Sequence, residues 1–239
     1  MKSKMFRTPK LLLVTAVVFL VLSLPRALLA QADLQNEKLR PWGGLIPTFD
    51  GDEIESASEI VILLHGYGAS PSNMDGIVRR LRAPRRSFVL LAGPIVLSEN
   101  RFAWATNADE FEKARAVLKS TLNYAANRYP SAVVCLGGFS QGASLASTVL
   151  LDDASKARKL LLYSPGVFFN PATIRPNSEV QVLISHGRAD EKMPFSDSED
   201  LRKALDAASV RIRWLPFEGG HTVPDEAIVE TKAFLLSND

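Results

Sequence analysis

A short apolar segment that ends in a glycine-flanked serine constrains this chain more than any other feature. The segment is 131–144, with the sequence SAVVCLGGFSQGAS. Its β-branched and apolar residues predict a strand, and the small residues from Gln141 onward predict a helix. Ser140 would lie at a sharp turn between them, where Gly138 and Gly142 leave room for neighbouring backbone. At such a turn a serine hydroxyl is lifted clear of the sheet, beside the positive end of a helix.

From residue 59 onward, apolar runs alternate with amphipathic stretches. This pattern predicts an α/β fold in which a mostly parallel sheet carries helices on both faces. We predict strands over 60–64, 88–91, 132–136, 159–163, 180–185 and 210–215, and helices over 72–82, 109–129, 141–151, 194–208 and 225–236. The short connection 163–180 predicts that no large cap domain covers the sheet.

Residues 1–32 have the features of a secretory signal peptide. Four cationic residues precede a 14-residue apolar run over 11–24, and Ala30-Gln31-Ala32 offers a small-residue cleavage site. The run is shorter than the ~20 residues that span a bilayer, so we expect cleavage near Ala32, with an uncleaved anchor as the alternative. The predicted organisation is a signal peptide at 1–32, an irregular segment with one or two possible edge strands at 33–57, and a catalytic domain at 58–239. The predicted location is secreted or periplasmic.

Removal of the signal peptide changes the sign of the net charge. The chain carries 28 Lys and Arg against 26 Asp and Glu, and the signal segment takes away five cations and no anion. The remaining 23 cations and 26 anions give about −3, which argues against a nucleic-acid partner. No stable membrane anchor is expected after cleavage, and the sequence makes no prediction about oligomeric state. Cys135 is the only cysteine and lies in a predicted strand, so we expect a small core residue.

A serine nucleophile needs a base and an orienting acid, which in a doubly wound sheet would follow later strands. The sequence has only three histidines: His65, His186 and His221. His221 follows the strand predicted at 210–215 and a glycine-containing loop, and Asp190 follows the strand before it. Glu191 is the weaker alternative acid. We predict Ser140 as nucleophile, His221 as base and Asp190 as the acid that orients the imidazole.

A second glycine-rich loop follows the first predicted strand at the same edge of the sheet. Gly66 and Gly68 would let its backbone approach a substrate oxygen. We therefore predict that the backbone N–H groups of Tyr67 and Gln141 form an oxyanion hole. His65 is expected to brace this loop, and the Tyr67 side chain is either a lid over the pocket or ordinary packing.

Two further positions are candidates for contact with a substrate. Trp104, in a predicted loop, could line an acyl or alcohol pocket, with core packing as the alternative. Ser164, after the strand at 159–163, could border the same pocket or form a plain turn. One apolar face of the long helix predicts a stripe of core residues: Phe111, Ala114, Leu118, Leu122 and Ala125.

These motifs, in this order, resemble the phospholipase/carboxylesterase family of α/β-hydrolases, which includes acyl-protein thioesterases and small bacterial carboxylesterases. The resemblance covers roughly residues 58–237. The matching motifs are Leu64-His65-Gly66-Tyr67-Gly68, Ala103-Trp104, Gly138-Phe139-Ser140-Gln141-Gly142-Ala143, His186-Gly187-Arg188-Ala189-Asp190 with Met193-Pro194, and Gly220-His221. The resemblance implies a compact core and hydrolysis of carboxylic esters or thioesters without a metal or cofactor. It places the oxyanion donors on Tyr67 and Gln141, and the triad on Ser140, Asp190 and His221.

The resulting functional hypothesis is an exported serine esterase that forms an acyl-enzyme with small-molecule esters of short or medium acyl chains. One alternative is a peptidase or depolymerase-type esterase that acts on a larger substrate. A third hypothesis, from another class, is a hydrolase fold that binds a ligand without catalysis.

Overall fold

The computed structural model describes residues 41–237, so the predicted signal peptide lies outside the described residues. The strands in this part of the chain are β1 (Pro47–Gly51), β2 (Glu59–Leu64), β3 (Arg86–Leu91), β4 (Ile95–Ser98), β5 (Arg101–Ala103), β6 (Val133–Phe139), β7 (Lys159–Tyr163), β8 (Gln181–Gly187) and β9 (Arg211–Phe217). The α-helices are α1 (Asp75–Leu81), α2 (Ala108–Arg128), α3 (Gln141–Ser147), α4 (Phe195–Ala207) and α5 (Asp225–Leu236).

Seven of these strands form one sheet in the order β1-β3-β2-β6-β7-β8-β9. All neighbouring strands are parallel except β1 and β3, which are antiparallel. The strand order reverses beside β2, because the chain first moves outward to β3 and later returns to place β6 on the other side. In sheets of this kind ligands bind at the carboxyl ends of the strands next to such a reversal. The predicted mostly parallel sheet is confirmed.

Helices cover both faces of the sheet, as predicted. On one face, α1 and α5 bury residues such as Val78, Leu81, Ile228 and Phe234 against the strands. On the other, α2, α3 and α4 contribute Leu118, Leu122, Leu145 and Leu201. Each large aliphatic side chain buried in this way contributes roughly 1.5–3 kcal/mol of transfer free energy. The two cores thereby hold the carboxyl edges of β2 and β6 in fixed positions.

The helix and strand bounds follow the predictions closely where the apolar runs are clear. β7 and α5 have the predicted bounds. The helix predicted at 141–151 is α3 followed by a 3-10 turn at Thr148–Leu151, and the one predicted at 72–82 opens with a 3-10 turn at Pro71–Met74. That turn is capped by Ser70 and Asn73, each accepting a backbone hydrogen bond from the other.

Two short elements were not placed from the sequence. β1 adds an antiparallel edge strand beside β3, so the sheet begins before residue 58. Trp104 lies in a loop, as predicted, but the residues just before it form β5, which pairs with β4 in a hairpin. Asn100 makes the tight turn possible with φ of 54°, a conformation that Asn tolerates better than most residues. Phe102 then exchanges backbone hydrogen bonds with the loop after β2.

The sheet carries no large cap within residues 41–237. The connection from β7 to β8 holds only one short 3-10 turn, at Pro171–Thr173. Over the same residues, no helix has the length and the apolar character needed to cross a membrane. No separate domain therefore covers the carboxyl edge of the sheet in the part of the chain described.

Candidate active site

Ser140 lies between β6 and α3 with φ of 57° and ψ of −123°, a conformation that is strained for any residue with a side chain. Two glycines permit this turn. A Cβ on Gly138 would lie 2.4 Å from the carbonyl carbon of Gly142, and a Cβ on Gly142 would lie 2.3 Å from the carbonyl oxygen of Leu64. Contacts this short do not occur, so α3 can approach β2 and β6 only with glycine at both positions. The turn presents the Ser140 hydroxyl at the start of α3.

Ser140, His221 and Asp190 form a continuous hydrogen-bonded chain. Ser140 Oγ lies 2.9 Å from His221 Nε2, and His221 Nδ1 lies 2.7 Å from Asp190 Oδ2. An ionised carboxylate only accepts hydrogen bonds, so Nδ1 carries the proton and Nε2 is left to accept from the serine. His221 comes from the loop between β9 and α5, and its ring packs against Phe139 with 4.6 Å between centroids. The structure thus brings together three residues from three separate loops.

The Asp190 carboxylate is fully buried and accepts hydrogen bonds on both oxygens. Oδ1 accepts from the backbone N–H groups of Lys192 at 2.8 Å and Met193 at 3.0 Å. Burial favours a raised pKa, but these bonds and the one from His221 outweigh it and hold the pKa of Asp190 below its usual value. Asp190 is therefore charged at neutral pH. Glu191, the alternative acid, is exposed on the surface.

His186 also contacts Asp190, an arrangement that the sequence analysis missed. Its ring is fully buried, with Nε2 3.2 Å from Asp190 Oδ2 and 3.1 Å from Met193 O, and with Nδ1 2.6 Å from Ser198 Oγ. Two acceptors at Nε2 place the proton there, so Nδ1 accepts from the serine hydroxyl. Burial lowers the pKa of His186, which keeps the ring neutral. The four-residue spacing of the His186-Gly-x-x-Asp190 motif is the signal that could have revealed this contact.

The loop after β2 comes close to Ser140. A Cβ on Gly66 would lie 3.4 Å from the Cβ of Ser140, so the loop backbone borders the serine directly. Tyr67 follows Gly66, and Gln141 is the first residue of α3, where a backbone N–H has no partner one turn earlier. Within residues 41–237 neither of these two N–H groups donates a hydrogen bond to the protein. Both predicted oxyanion donors therefore belong to residues beside Ser140.

His65 braces this loop, in the role predicted for it. Its Nδ1 donates to the carbonyl oxygen of Gly66 at 2.8 Å, and its Nε2 accepts from the backbone N–H of Gly93 at 2.9 Å. The Trp104 indole stacks on the imidazole at 5.2 Å and donates to the carbonyl oxygen of His65 at 2.8 Å. Burial lowers the pKa of His65, so the ring stays neutral and keeps both backbone contacts.

The structure corrects the prediction that Trp104 and Ser164 line a pocket. Trp104 is 1% exposed and Ser164 is 0% exposed, because both are enclosed by the core under the loops.

The Gln141 side chain has a role that was not foreseen. Its Oε1 accepts from the Trp104 backbone N–H at 2.9 Å, and its Nε2 donates to Ala105 O at 2.7 Å. These two bonds fix the start of α3 to the segment after β5.

Two cavities border the loop that carries Tyr67. The first, of about 680 Å³, is called the α1 cleft here, and its wall includes Ser140, His221 and Ile77. The second, of about 510 Å³, is called the α2 pocket. Its wall comprises Tyr67, Ala105, Thr106, Asn107, Ala108, Phe111, Glu112, Gln141 and Phe168. Tyr67 borders both cavities and is 56% exposed, so its side chain is a wall between them rather than core packing.

Phe111 departs from the predicted core stripe of α2. The other four residues of that stripe are buried, but Phe111 is only partly buried. It meets the exposed Phe168 edge to face, with 5.4 Å between centroids and an interplanar angle of 86°. These two rings supply much of the apolar wall of the α2 pocket. Helical periodicity could not separate a core position from a cavity wall, since both require an apolar residue on the inward face.

A profile of the phospholipase/carboxylesterase family matches residues 52–238. The chain belongs to this family. Among solved structures, it is similar to esterase PE8 at 25% identity over 80% of this chain and 97% of that one, with a TM-score of 0.69. It shares the fold of the carboxylesterase from Mesorhizobium loti at 22% identity, with 80% and 94% of the two chains covered and a TM-score of 0.67.

The Bacillus cereus carboxylesterase has the same fold at 19% identity, with 80% of this chain and 92% of that one covered and a TM-score of 0.66. A comparison with curated protein sequences gave no significant match. The family match establishes the α/β-hydrolase fold and an esterase-type hydrolase that acts on carboxylic esters.

Proposed function

We propose that this protein is an exported serine esterase that hydrolyses esters of short or medium acyl chains through an acyl-enzyme. Ser140 is the nucleophile, His221 the general base and Asp190 the acid that orients it. The backbone N–H groups of Tyr67 and Gln141 stabilise the oxyanion. The observation that carries the proposal is the unbroken hydrogen-bond chain from Ser140 Oγ through His221 to Asp190.

Each contact in that chain corresponds to one step of the reaction. Ser140 Oγ attacks the ester carbonyl carbon while its proton passes to His221 Nε2, the acceptor already 2.9 Å away. The same proton then moves to the departing oxygen as the carbon–oxygen bond breaks. Water attacks the acyl-enzyme in the second half, with His221 as base again. Asp190 stabilises the imidazolium that forms in both halves.

The negative charge that develops on the carbonyl oxygen needs donors that are already in position. In other serine hydrolases, loss of one such donor costs about 10²–10³ in turnover. Here the Gln141 side chain and the His65 brace hold the two donor segments in place through backbone contacts. Both segments therefore need little reorganisation when the charge forms.

The α2 pocket supports an acyl chain of limited length. It opens beside Gln141, one of the two oxyanion residues, and its volume of about 510 Å³ is in the range of small-molecule sites. The rings of Phe111 and Phe168 offer apolar contact for a hydrocarbon chain. A thioester of the same acyl group would bind in the same way, because the two substrates differ only in the leaving atom.

The export part of the proposal rests on residues 1–32, where cationic residues precede an apolar run and a small-residue cleavage site. Cell fractionation of the full chain tests it. A mature protein that begins near residue 33 and is found outside the cytoplasm supports export. Recovery of the uncleaved chain from the cytoplasm would contradict it.

A panel of p-nitrophenyl esters of increasing acyl length, with matched thioesters, tests the catalytic part. We expect turnover that falls off beyond medium chains and disappears in Ser140→Ala. Ser120→Ala, on the exposed face of α2, is the matched control and should retain activity. A folded wild-type protein that hydrolyses none of the panel would contradict the proposal, and cleavage of peptides alone would favour the peptidase hypothesis.

A further inference from the structure

The α1 cleft is the cavity on the leaving-group side of the site. His221 donates the proton to the departing oxygen, so the alcohol must leave next to this ring. Both Ser140 and His221 border the α1 cleft, whereas neither borders the α2 pocket. Its volume of about 680 Å³ is enough for an alcohol of aromatic size.

The charge on the wall of the α1 cleft has one sign. Arg79 and Arg80, from the last turn of α1, both line it, and no Asp or Glu is among its described wall residues. Arg80 is paired with Asp225 at 2.8 Å. Arg79 is exposed and has no ion pair with any residue in 41–237, although most arginines in that range have a carboxylate partner. One guanidinium at this wall is thus available to a ligand.

The α2 pocket has the opposite character. Among residues 41–237, its wall holds no cationic residue, and its one acidic residue is Glu112, which is paired with Arg115 at 3.0 Å. The rest of the described wall is apolar or neutral apart from the Tyr67 phenol. A substrate that places an apolar acyl chain in the α2 pocket and a negative charge in the α1 cleft would match both walls. The reverse placement would put an anion near Glu112 and leave Arg79 without a partner.

We propose that the α1 cleft selects esters whose alcohol portion carries an anionic group, a carboxylate or a phosphate, and that Arg79 is the specificity-determining residue. This inference rests on the proposed function. The Arg79 guanidinium presents a positive charge and planar N–H donors that suit a carboxylate or a phosphate group. Arg80 adds positive potential to the cleft, but its ion pair with Asp225 leaves it less available than Arg79 to bind the anionic group of a substrate.

Three acetate esters with similar phenolic leaving groups test the inference. One carries a para carboxylate, one a para phosphate monoester, and one a para methyl carboxylate as the neutral reference. We expect wild-type kcat/KM to be about fivefold higher for an anionic ester than for the neutral one, which is the upper end of the range for an exposed ion pair. Raising the salt from about 0.01 M to about 1 M shortens the Debye length from about 30 to about 3 Å and should remove most of the preference.

The ratio of anionic to neutral kcat/KM cancels any general effect of a substitution on the site. Arg79→Gln should lower this ratio about fivefold, Arg79→Lys should retain most of it, and Arg79→Glu should bring it below one. Arg202→Gln replaces a partly exposed arginine of α4 that borders neither cavity; it is the matched control and should leave the ratio unchanged.

The outcomes separate this inference from the proposed function. Hydrolysis of all three acetates with no preference for either anionic ester, or with a preference that Arg79→Gln leaves intact, overturns the inference and spares the esterase. Hydrolysis of none of them by folded protein overturns both. A preference for only one anionic ester, lost in Arg79→Gln, supports the inference and identifies the anion.

Discussion

Replacement of Asp190 by Asn should cost far more activity than the loss of one charge suggests, because the structure dictates how the amide must lie. Oδ1 of Asp190 accepts from two backbone N–H groups, those of Lys192 and Met193. The amide oxygen of the substituted side chain must take that position, because the two backbone donors there cannot change. At Oδ2, by contrast, His221 can change its tautomer and His186 can donate to Met193 O alone. The NH₂ group is then turned toward His221 Nδ1, at the position of the carboxylate oxygen now 2.7 Å away.

An amide donor at this position selects the wrong tautomer of His221. Nδ1 would accept from the amide, so the proton would reside on Nε2, which could no longer accept from Ser140. We expect a fall in kcat of about 10⁴-fold, equal to about 5.5 kcal/mol of activation free energy. The assay is steady-state hydrolysis of a short-chain p-nitrophenyl ester, with circular dichroism to confirm the fold.

Glu191→Gln is the control for this substitution, because Glu191 is the neighbouring exposed carboxylate. It should leave kcat within a factor of about two, as expected of a surface substitution away from the chemistry. A loss below tenfold in Asp190→Asn, or a large loss in Glu191→Gln, would refute the reasoning. The acid would then have to be sought at Glu191.

Three further outcomes follow from other contacts. Gly142→Ala should lower the free energy of unfolding in urea by about 3 kcal/mol or more, because its Cβ would overlap the carbonyl oxygen of Leu64. The control Gly76→Ala, with open space around its Cβ, should be neutral or stabilising. Equal effects of the two substitutions would contradict the close approach of α3 to β2. His186→Phe should lower kcat about tenfold with little change in KM, because it removes a donor that positions the Asp190 carboxylate. His186→Gln can still donate to this carboxylate and should recover part of the lost kcat. A change in KM alone would argue against a positioning role for His186. Burial lowers the pKa of both His65 and His186, so the unfolded chain binds more protons below pH of about 6.5. The free energy of unfolding should therefore be steady above that pH and should fall on acidification by up to about 1.4 kcal/mol per pH unit per histidine. A profile that is flat from about pH 8 to about pH 5 would contradict the neutral state of the two buried imidazoles.

The central sheet could be predicted from the sequence because its strands are buried on both faces. β7 and β8 have every residue buried, so their apolar runs are continuous and their ends are marked by polar residues. β1 and β4 lack that signal. β1 has one buried residue and β4 has none, so neither has a continuous apolar run. Only the pairing of β1 with the distant β3, and of β4 with the adjacent β5, shows that they are strands.

The candidate nucleophile, base and acid could be selected from their order and their positions after strands, since the carboxyl ends of parallel strands meet at one edge. The distances between their side chains could not be predicted from the sequence. Trp104 and Phe111 show why residues that border a cavity were harder to predict. Both are aromatic residues in apolar surroundings, yet Trp104 is enclosed by the core and Phe111 borders a cavity. Only packing in three dimensions separates these two environments.

The measurement that bears most directly on the proposed mechanism is covalent labelling by a fluorophosphonate, followed by mass spectrometry of the labelled peptide. This reagent traps a serine only when its hydroxyl is activated by a base and the developing charge is stabilised. We expect a single adduct on Ser140, no adduct in Ser140→Ala and strongly reduced labelling in His221→Ala. Folded wild-type protein that takes up no label, or takes it up at another residue, would contradict the assignment of Ser140 as the nucleophile.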